Sequence, residues 1–350
     1  MDSIHLPIEL WTLILDLLDI KLQVRLIQLC KTIKDNIFIT DLCNIDAIFK
    51  LRLNSKIIKK YSNIKKLCAS GNCKIDDDSL IGLNLVELKA DNNSKIKKIN
   101  HMKNLRILYA GGYSGIDDDS LASTFGGLNL VELNASDNPK IKKINHMNNL
   151  RILNASYNCG IGDDSLIGLN LIELNAHSNP KIKKINHMTN LRILNARWNC
   201  GIIDENLIGL NLIKLDAYNN EKIKKVNHMA NLRILNAGWN SGIGDEHLIG
   251  LNLVELNADD NPKIKKINHM TNLRILIARF RCGITDFGGL NLIKLDAYQN
   301  PKIKKINHMT NLKKLNAGGF NCGIGNDDLI GLNLIELDAY HNPKIKKSII

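Results

Sequence analysis

The chain has 350 residues, 44% of them hydrophobic, and a formal net charge of +12 at pH 7. That length suits two ordinary domains or one elongated array, and no stretch is long and apolar enough to span a bilayer. The first residues, MDSIHLPIELW, lack the basic segment and clean apolar run of a signal peptide, so we expect neither a cleaved leader nor a membrane partner.

The composition also argues against a disulfide framework and against an enzyme. The eight cysteines form no CxxC pair, and four of them recur at one position of a repeat, which is typical of reduced thiols in a cytosolic or nuclear protein. No serine lies in a nucleophile elbow and no glycine-rich loop could cradle a phosphate. We therefore expect a cytoplasmic protein with no catalytic residues and no cofactor.

Residues 1–45 lie outside the repeats and have the spacing of short amphipathic helices. Pro7 stands where a helix can begin. One apolar face at helical spacing comprises Leu10, Ile14, Leu17 and Leu18. The segment is therefore predicted to be a small α-helical domain.

The wording L-P-x-E-L-x-x-x-I-x-x-L-L, followed by a polar break and L-x-x-L-C-K, resembles an F-box. F-boxes bind the small adaptor that joins them to a cullin ubiquitin ligase, so the resemblance implies that partner. The residues expected to contact the adaptor are Leu6, Pro7, Glu9, Leu10, Ile14, Leu17 and Leu18. Ile33 departs from the family pattern, which commonly has a tryptophan there.

A cap over the first repeat is the alternative role for these helices, since the ends of solenoids need shielding. The two roles are compatible only if residues 46–62 shield the first repeat and leave the preceding helices free. We assign 1–45 to the F-box-like helical domain, 46–62 to a linker or cap, and 63–350 to the repeats.

From Asn63 onward the sequence alternates two words of about 20 residues, and 14 copies follow one another. NLRILNASYNCGIGDDSLIGL (149–169) is a first word, and NLIELNAHSNPKIKKINHMT (170–189) is a second word. A fixed period of this length predicts a solenoid, with one structural unit in each coil.

Both words contain L-x-x-L-x-A-x-x-N, as in residues 171–179. This spacing resembles the leucine-rich repeat, with alanine in place of the third leucine. The resemblance implies an α/β solenoid with a curved parallel sheet of about 14 coils. Alternation along a strand predicts that Leu174 and Ala176 point inward, and that Glu173 and Asn175 lie on the exposed face.

The asparagine that ends this wording is expected to turn the chain away from the strand. Its amide can satisfy backbone groups that the turn would otherwise bury unpaired. We predict this structural role for Asn158, Asn179, Asn199, Asn220, Asn240 and Asn261.

The repeated NPKIKKINHM follows this turn and places its lysines and histidines on the return side of the coil. Neighbouring coils carry acidic words such as GDD and DEN there, which predicts ion pairs between coils. Exposed pairs are worth only about 0.2–1 kcal/mol, but they neutralise the flank, so we do not expect nucleic-acid binding. Histidines two coils, or roughly 10 Å, apart cannot share a metal, and no metal site is predicted.

The strand face carries the residues expected to bind a partner protein. Isoleucines recur on the strands of the first words, and aromatic residues follow the strands at 41-residue intervals; Trp and Tyr are favoured hot-spot residues. The predicted partner-binding residues are Ile152, Tyr157, Ile193, Trp198, Tyr218, Ile234, Trp239 and Phe280. The alternative is that the aromatic rings fold over the turn and pack within the solenoid.

The wording C-G-I-T-D in residues 281–290 is typical of cysteine-containing repeats that are often fused to F-boxes. The combination implies a substrate-recognition adaptor of a cullin-type (SCF-like) ubiquitin ligase, with an unknown substrate protein on the strand face. Near-identical repeats rich in Ile, Asn and Lys also resemble F-box/leucine-rich-repeat proteins of giant amoeba-infecting viruses, which implies a host-encoded adaptor and the host cytoplasm. The alternative is a protein-binding scaffold without a ligase, capped by its N-terminal helices.

Overall fold

A computed structural model describes residues 10, 11, 13, 14, 17, 18, 22, 23, 25, 39–43, 52–61, 63–71, 74–122 and 128–346. The chain falls into two compact units, Met1–Leu169 (unit 1) and Asn170–Ile350 (unit 2). Within these described ranges, no helix is long and apolar enough to cross a membrane. Leu6, Pro7 and Glu9 of the predicted adaptor-binding set lie outside the described residues.

Unit 1 contains a parallel sheet in which each strand pairs with the next one along the chain. Its strands are β1 (Asp41–Leu42), β2 (Lys66–Cys68), β3 (Glu87–Lys89), β4 (Ile107–Tyr109), β5 (Glu132–Asn134) and β6 (Ile152–Asn154). Four-residue helices lie on the return segments: α1 (Ser55–Ile58), α2 (Asp77–Leu80), α3 (Asp118–Leu121) and α4 (Asp163–Leu166).

Unit 2 follows the same plan, again with consecutive parallel pairing. Its strands are β7 (Glu173–Asn175), β8 (Ile193–Asn195), β9 (Lys214–Asp216), β10 (Ile234–Asn236), β11 (Glu255–Asn257), β12 (Ile275–Ile277), β13 (Lys294–Asp296), β14 (Lys314–Asn316) and β15 (Glu336–Asp338). Helix α5 (Asp245–Leu248) and two 3-10 helices, Asp204–Leu207 and Asn326–Leu329, lie on its returns.

Each unit is therefore a parallel-sheet solenoid with few helices among its described residues. Every one of the 14 sequence copies supplies one strand, β2–β15. The predicted alternation is confirmed: Leu174 and Ala176 are fully buried, while Glu173 and Asn175 are only half-buried on the open face. In-register pairing places Leu194 beside both Leu174 and Leu215, so the core is a column of leucines.

Parallel pairing begins before the repeated wording does. β1 lies within the range 1–45 and pairs with β2, and its coil buries Leu42, Leu53 and Ile58 completely. Described residues of the ranges 39–43 and 52–61 therefore pack against the first strand of the repeats.

Within unit 2, buried asparagines of the second words join one coil to the one before it. In unit 2, Asn261 donates from Nδ2 to the carbonyl oxygens of Ala237 (2.6 Å) and Ile243 (3.1 Å). Its Oδ1 accepts from the backbone N–H of Lys263 at 3.0 Å. One side chain thus satisfies three backbone groups that burial would otherwise leave unpaired.

The asparagines of the first words do not have this role, so that part of the prediction was wrong. Their side chains are exposed at Asn158, Asn199 and Asn240. The buried position falls one residue later, on Cys159, Cys200 and Ser241. The physical reason is that the first-word turn is one residue longer between its alanine and its buried residue, which pushes the asparagine outward.

Replacing a buried and an exposed asparagine within unit 2 separates the two roles. We expect Asn261→Ala to lower the free energy of unfolding by about 2–4 kcal/mol, because it leaves buried backbone groups without partners. The matched change Asn240→Ala should stay within about 0.5 kcal/mol of the parent, since that amide is exposed. Urea unfolding followed by circular dichroism measures both, and equal losses would contradict the assignment.

The buried cysteines make the free energy of unfolding depend on pH in the alkaline range. Burial raises the pKa of the Cys200 thiol to about 11, above its ordinary value near 9, so the folded state holds a proton that the unfolded state releases. This stability is fully present below pH 9 and is lost as pH rises toward 11, by about 1.4 kcal/mol per pH unit. Cys200→Ser introduces the residue found at Ser241 and removes the thiol. We expect the free energy of unfolding, measured with urea at pH 8 and pH 10.5, to fall less in this variant than in the parent, by about 1.4 kcal/mol for each pH unit above 9. Unchanged pH dependence would show that the thiol stays accessible.

Candidate functional site

The residue two places after the alanine of each coil has a left-handed backbone. In unit 2, φ is +57° at Trp198 and +56° at Trp239, a conformation that costs roughly 1–2 kcal/mol for residues other than glycine. Neighbouring second-word coils place Asn219 and Asp260 at this position, and these residue types tolerate it. The aromatic residues therefore stand where the turn itself favours a small polar residue or glycine.

Main-chain bonds hold this turn whatever the side chain. The backbone N–H of Trp198 donates to the carbonyl of Tyr218 at 2.9 Å, and that of Trp239 donates to the carbonyl of Asp259 at 2.6 Å. The same bond links Asn219 to the carbonyl of Gly238 at 3.1 Å. The indole rings are thus not needed to form the turn.

Three rings of unit 2 contact one another and form what we call the aromatic cluster, Trp198, Tyr218 and Trp239. Their centroids lie 6.4 Å (Trp198–Tyr218), 6.2 Å (Trp198–Trp239) and 6.0 Å (Tyr218–Trp239) apart. These are favourable separations for tilted and edge-to-face aromatic pairs. The cluster is therefore a preformed apolar surface.

The cluster remains accessible even though its rings touch. Trp198 and Trp239 are each 42% exposed, so these residues are not buried inside the solenoid. Gly238 makes the arrangement possible, because a Cβ there would lie 2.9 Å from Cδ2 of Tyr218. The glycine lets the tyrosine ring lie across the end of β10 and reach both tryptophans.

Arg197 gives the cluster a charged edge. Its guanidinium carbon lies 4.7 Å from the centroid of Tyr218, within the range of a cation–π contact. Its Nε lies 3.6 Å from Oδ1 of Asp216. Burial raises the pKa of the Asp216 carboxyl, and the nearby arginine opposes that rise.

Phe280 does not join the aromatic cluster. Its ring meets Tyr298 edge-on, with a centroid distance of 5.7 Å. On one side of it, Nη2 of Arg279 binds Oδ2 of Asp259 at 2.9 Å, and Arg281 binds Asp260 at 2.8 Å. The acidic pair lies along the chain between the aromatic cluster and Phe280.

The other predicted partner-binding residues are divided between the two units. Ile193 and Ile234 lie half-buried on the open strand face of unit 2, five residues before each tryptophan. Ile152 and Tyr157 belong to unit 1, where the tyrosine has φ of +59° and is 53% exposed. Sequence reasoning missed Arg197 and Gly238, although each stands directly before a tryptophan of the repeat.

On the return flank, the contacts of the acidic residues differ from the predicted ion pairs with lysine side chains. Oδ1 of Asp204 accepts from the backbone N–H groups of Lys224 (2.6 Å) and Lys225 (2.9 Å). Oδ1 of Asp245 makes the same two bonds to the next second word. The carboxylates therefore bind the main chain of the lysines, because the N–H groups lie closer than the ammonium groups at the ends of flexible stems.

The histidines of the flank make backbone contacts as well. Nε2 of His228 lies 3.2 Å from the carbonyl oxygen of Leu207, and Nε2 of His269 lies 3.1 Å from that of Leu248. Across the ranges that the structure describes, no group of three or more His, Cys, Asp or Glu side chains is arranged to hold a metal.

The described residues of the N-terminal segment expose apolar side chains. Leu10 and Leu22 are exposed by 43% and 44%, Leu13 by 60%, and Leu17 by 86%. Ile14 and Leu18 are half-buried. The predicted face thus has at least two leucines open to a partner.

No protein-family model matches the sequence, and no curated protein matches it. Among solved structures, the chain is similar to the internalin InlF of Listeria monocytogenes, with 23% identity over 84% of this chain and 85% of that chain and a TM-score of 0.48. It is also similar to a structure of the Rad7 and Elc1 complex in yeast, with 16% identity, 85% and 82% coverage and a TM-score of 0.46.

A third similar structure is a TLR13–ssRNA13 complex, with 17% identity, a TM-score of 0.48, and 80% of this chain matched to 53% of that chain. The internalin and TLR13 are leucine-rich-repeat proteins. At these identities the likeness concerns the fold alone.

We expect Trp198→Asn to change the free energy of unfolding by less than about 1 kcal/mol. The substitution gives up ring contacts worth about 0.5–1.5 kcal/mol each and relieves a left-handed strain of about 1–2 kcal/mol. Urea unfolding of the parent and the variant tests this. A loss of several kcal/mol would mean that the ring is part of the fold and not a surface for binding.

Proposed function

We propose that the chain is a leucine-rich-repeat scaffold that binds a partner protein on the open strand face of unit 2, centred on the aromatic cluster. One observation carries the proposal: two exposed tryptophans occupy left-handed positions that the turn does not need them for. Residues that disfavour their own backbone conformation and remain exposed are best explained by what they bind.

The chemistry of the cluster suits a protein surface. Tyr and Trp dominate the binding energy of interfaces when they lie near the centre of the contact. Contacts between the rings, and the space that Gly238 leaves for the Tyr218 ring, hold these side chains in place before binding. This reduces the entropy lost on association. Arg197 beside Tyr218 supplies a charge for orientation at the edge.

At a finer level, we propose that the protein is the substrate-recognition adaptor of a cullin-type ubiquitin ligase. The F-box-like wording of residues 1–45 is the basis, and the exposure of Leu10 and Leu17 supports it. The packing of residues 39–43 and 52–61 against the first repeat also supports it, because these residues can then supply the cap. The adaptor is a host protein in the case of a viral chain, and the substrate is held on the strand face.

The second candidate is a scaffold without a ligase. It shares the partner-binding face and differs only at the N-terminus, whose helices would then bind no adaptor. The two candidates therefore differ in one measurable contact.

Copurification from cells that express the full chain tests the partner-binding face. We expect partners retained by the parent to be lost with Trp198→Asn, by about tenfold or more for a hot-spot residue. Tyr113→Asn is the matched control, because Tyr113 is an 85% exposed aromatic of unit 1 outside the cluster. Equal loss with both variants, or with neither, would contradict the proposed face.

Direct binding of a purified F-box-binding adaptor tests the finer proposal. The parent chain should bind it, and Leu17→Glu should weaken binding about tenfold or more, because a charge replaces an apolar anchor. Ile81→Glu is the control, since Ile81 is 66% exposed and lies on a repeat. Failure of the parent to bind under conditions that capture a known F-box would favour the scaffold without a ligase.

A further inference from the structure

A cleft of about 300 Å³ lies in the row of turns beside the aromatic cluster. It forms because the first-word turns at 198–200 and 239–241 are one residue longer than the second-word turn between them. The two longer turns contribute Trp198, Asn199 and Asn240 to its lining, and the shorter turn contributes the remaining residues. The cleft is lined by Trp198, Asn199, Asn219, Asn220, Glu221, Lys222 and Asn240.

The asparagines of the cleft differ in what their amides do. Asn220 is buried, and its Nδ2 donates to the carbonyl of Ala196 at 2.8 Å. Asn199 and Asn240 are exposed, and the fold does not require an amide there, because Arg281 occupies the same position of the next first word. The Asn240 amide is therefore placed to bond to another molecule, and so is Nδ2 of Asn199, whose Oδ1 already accepts from Nζ of Lys222 at 3.5 Å.

Glu221 departs from the repeat inside this cleft. The other second words of unit 2 have proline at this position, namely Pro180, Pro262, Pro301 and Pro343. Proline favours folding by restricting the unfolded chain, so the glutamate gives up that benefit. Its side chain is exposed.

Two locally unfavourable choices line the cleft, the left-handed Trp198 and Glu221 in place of proline, and a third, the left-handed Trp239, directly precedes the lining residue Asn240. A sequence that otherwise follows its repeat closely breaks local rules mainly where function demands it. Lys222 is different, because a lysine recurs at its position in every second word, and its Nζ already lies 3.5 Å from Oδ1 of Asn199. The charge that distinguishes this turn from the other second-word turns of unit 2 is therefore the Glu221 carboxylate.

The spacing of the exposed amides matches an extended peptide. Asn199 and Asn240 lie two coils apart, or roughly 10 Å along a sheet. Three residues of extended chain also span roughly 10 Å. A primary amide offers both a donor and an acceptor to the N–H and C=O of a peptide, so Asn240 can bond to both groups. Asn199 can donate from Nδ2 to a peptide carbonyl while its Oδ1 faces Lys222.

From these observations we propose that the cleft binds an extended segment of a partner protein that presents a lysine or arginine. The main chain of the segment bonds to Asn199 and Asn240, the basic side chain lies on the indole of Trp198, and its charged end meets Glu221. Tryptophan is the best aromatic partner for a cation, and the carboxylate adds charge complementarity. The inference rests on the proposed function and specifies the chemistry of the partner.

The first test selects a 12-residue random peptide library, displayed on phage, on the full chain. We expect enriched peptides to contain a lysine or arginine whose replacement by leucine weakens binding about fivefold. Two of the three tryptophans of the chain belong to the cluster, so tryptophan fluorescence follows binding of the synthetic peptides. Absence of enrichment, or enriched peptides that need no basic residue, would overturn the proposal.

Matched variants locate the contact. Glu221→Gln should lower the affinity for the selected peptide about fivefold. Glu205→Gln, which removes the same charge from another exposed site of unit 2, should leave that affinity unchanged. Asn240→Arg introduces the residue of the next first word and should also weaken binding. Equal effects of Glu221→Gln and Glu205→Gln would overturn the proposal.

The outcome also separates this inference from the proposed function. A cellular partner that is lost with Trp198→Asn and retained at full strength with Glu221→Gln would leave the partner-binding face in place and reject the basic segment. A partner that is unaffected by Trp198→Asn would reject the face itself.

Discussion

The buried asparagine of each second word is the constraint on which the coils depend. A coil must turn away from its strand, and the turn buries backbone carbonyls that no neighbouring strand can reach. In unit 2 the amide of Asn261 bonds to the coil before it and to the backbone of its own coil. Loss of such an amide would leave several buried polar groups unpaired, which is among the costliest defects that a core can have.

This constraint acts on the second-word coils, whereas the first-word coils between them tolerate more variation in their side chains. Cysteine or serine is sufficient at the buried position of the first words, and the extra residue of their turns reaches solvent. The solenoid thereby alternates between coils that specify the fold and coils that carry variable side chains. Both tryptophans of the aromatic cluster and both exposed amides of the cleft belong to the second kind.

Much of this arrangement follows from the sequence. The period and the leucine spacing predict the strands, their parallel order and the inward column of leucines, because a repeat of this length can bury its apolar face only by stacking. The roles of Asn199 and Asn240 could not be predicted, since a one-residue difference in turn length shows only in the backbone. The contacts of Asp204 with main-chain N–H groups were missed for a similar reason: residue charge predicts a pairing of side chains, whereas distance decides in favour of the backbone.

We infer that the turns of unit 2 around Trp198 and Trp239 bind a partner while the return flank remains free. Hydrogen exchange of the full chain, with and without a copurified partner, measures this most directly. We expect the added protection to concentrate in residues 197–200, 218–221 and 238–241. Protection confined to return segments such as 263–267, with these turns unchanged, would contradict it.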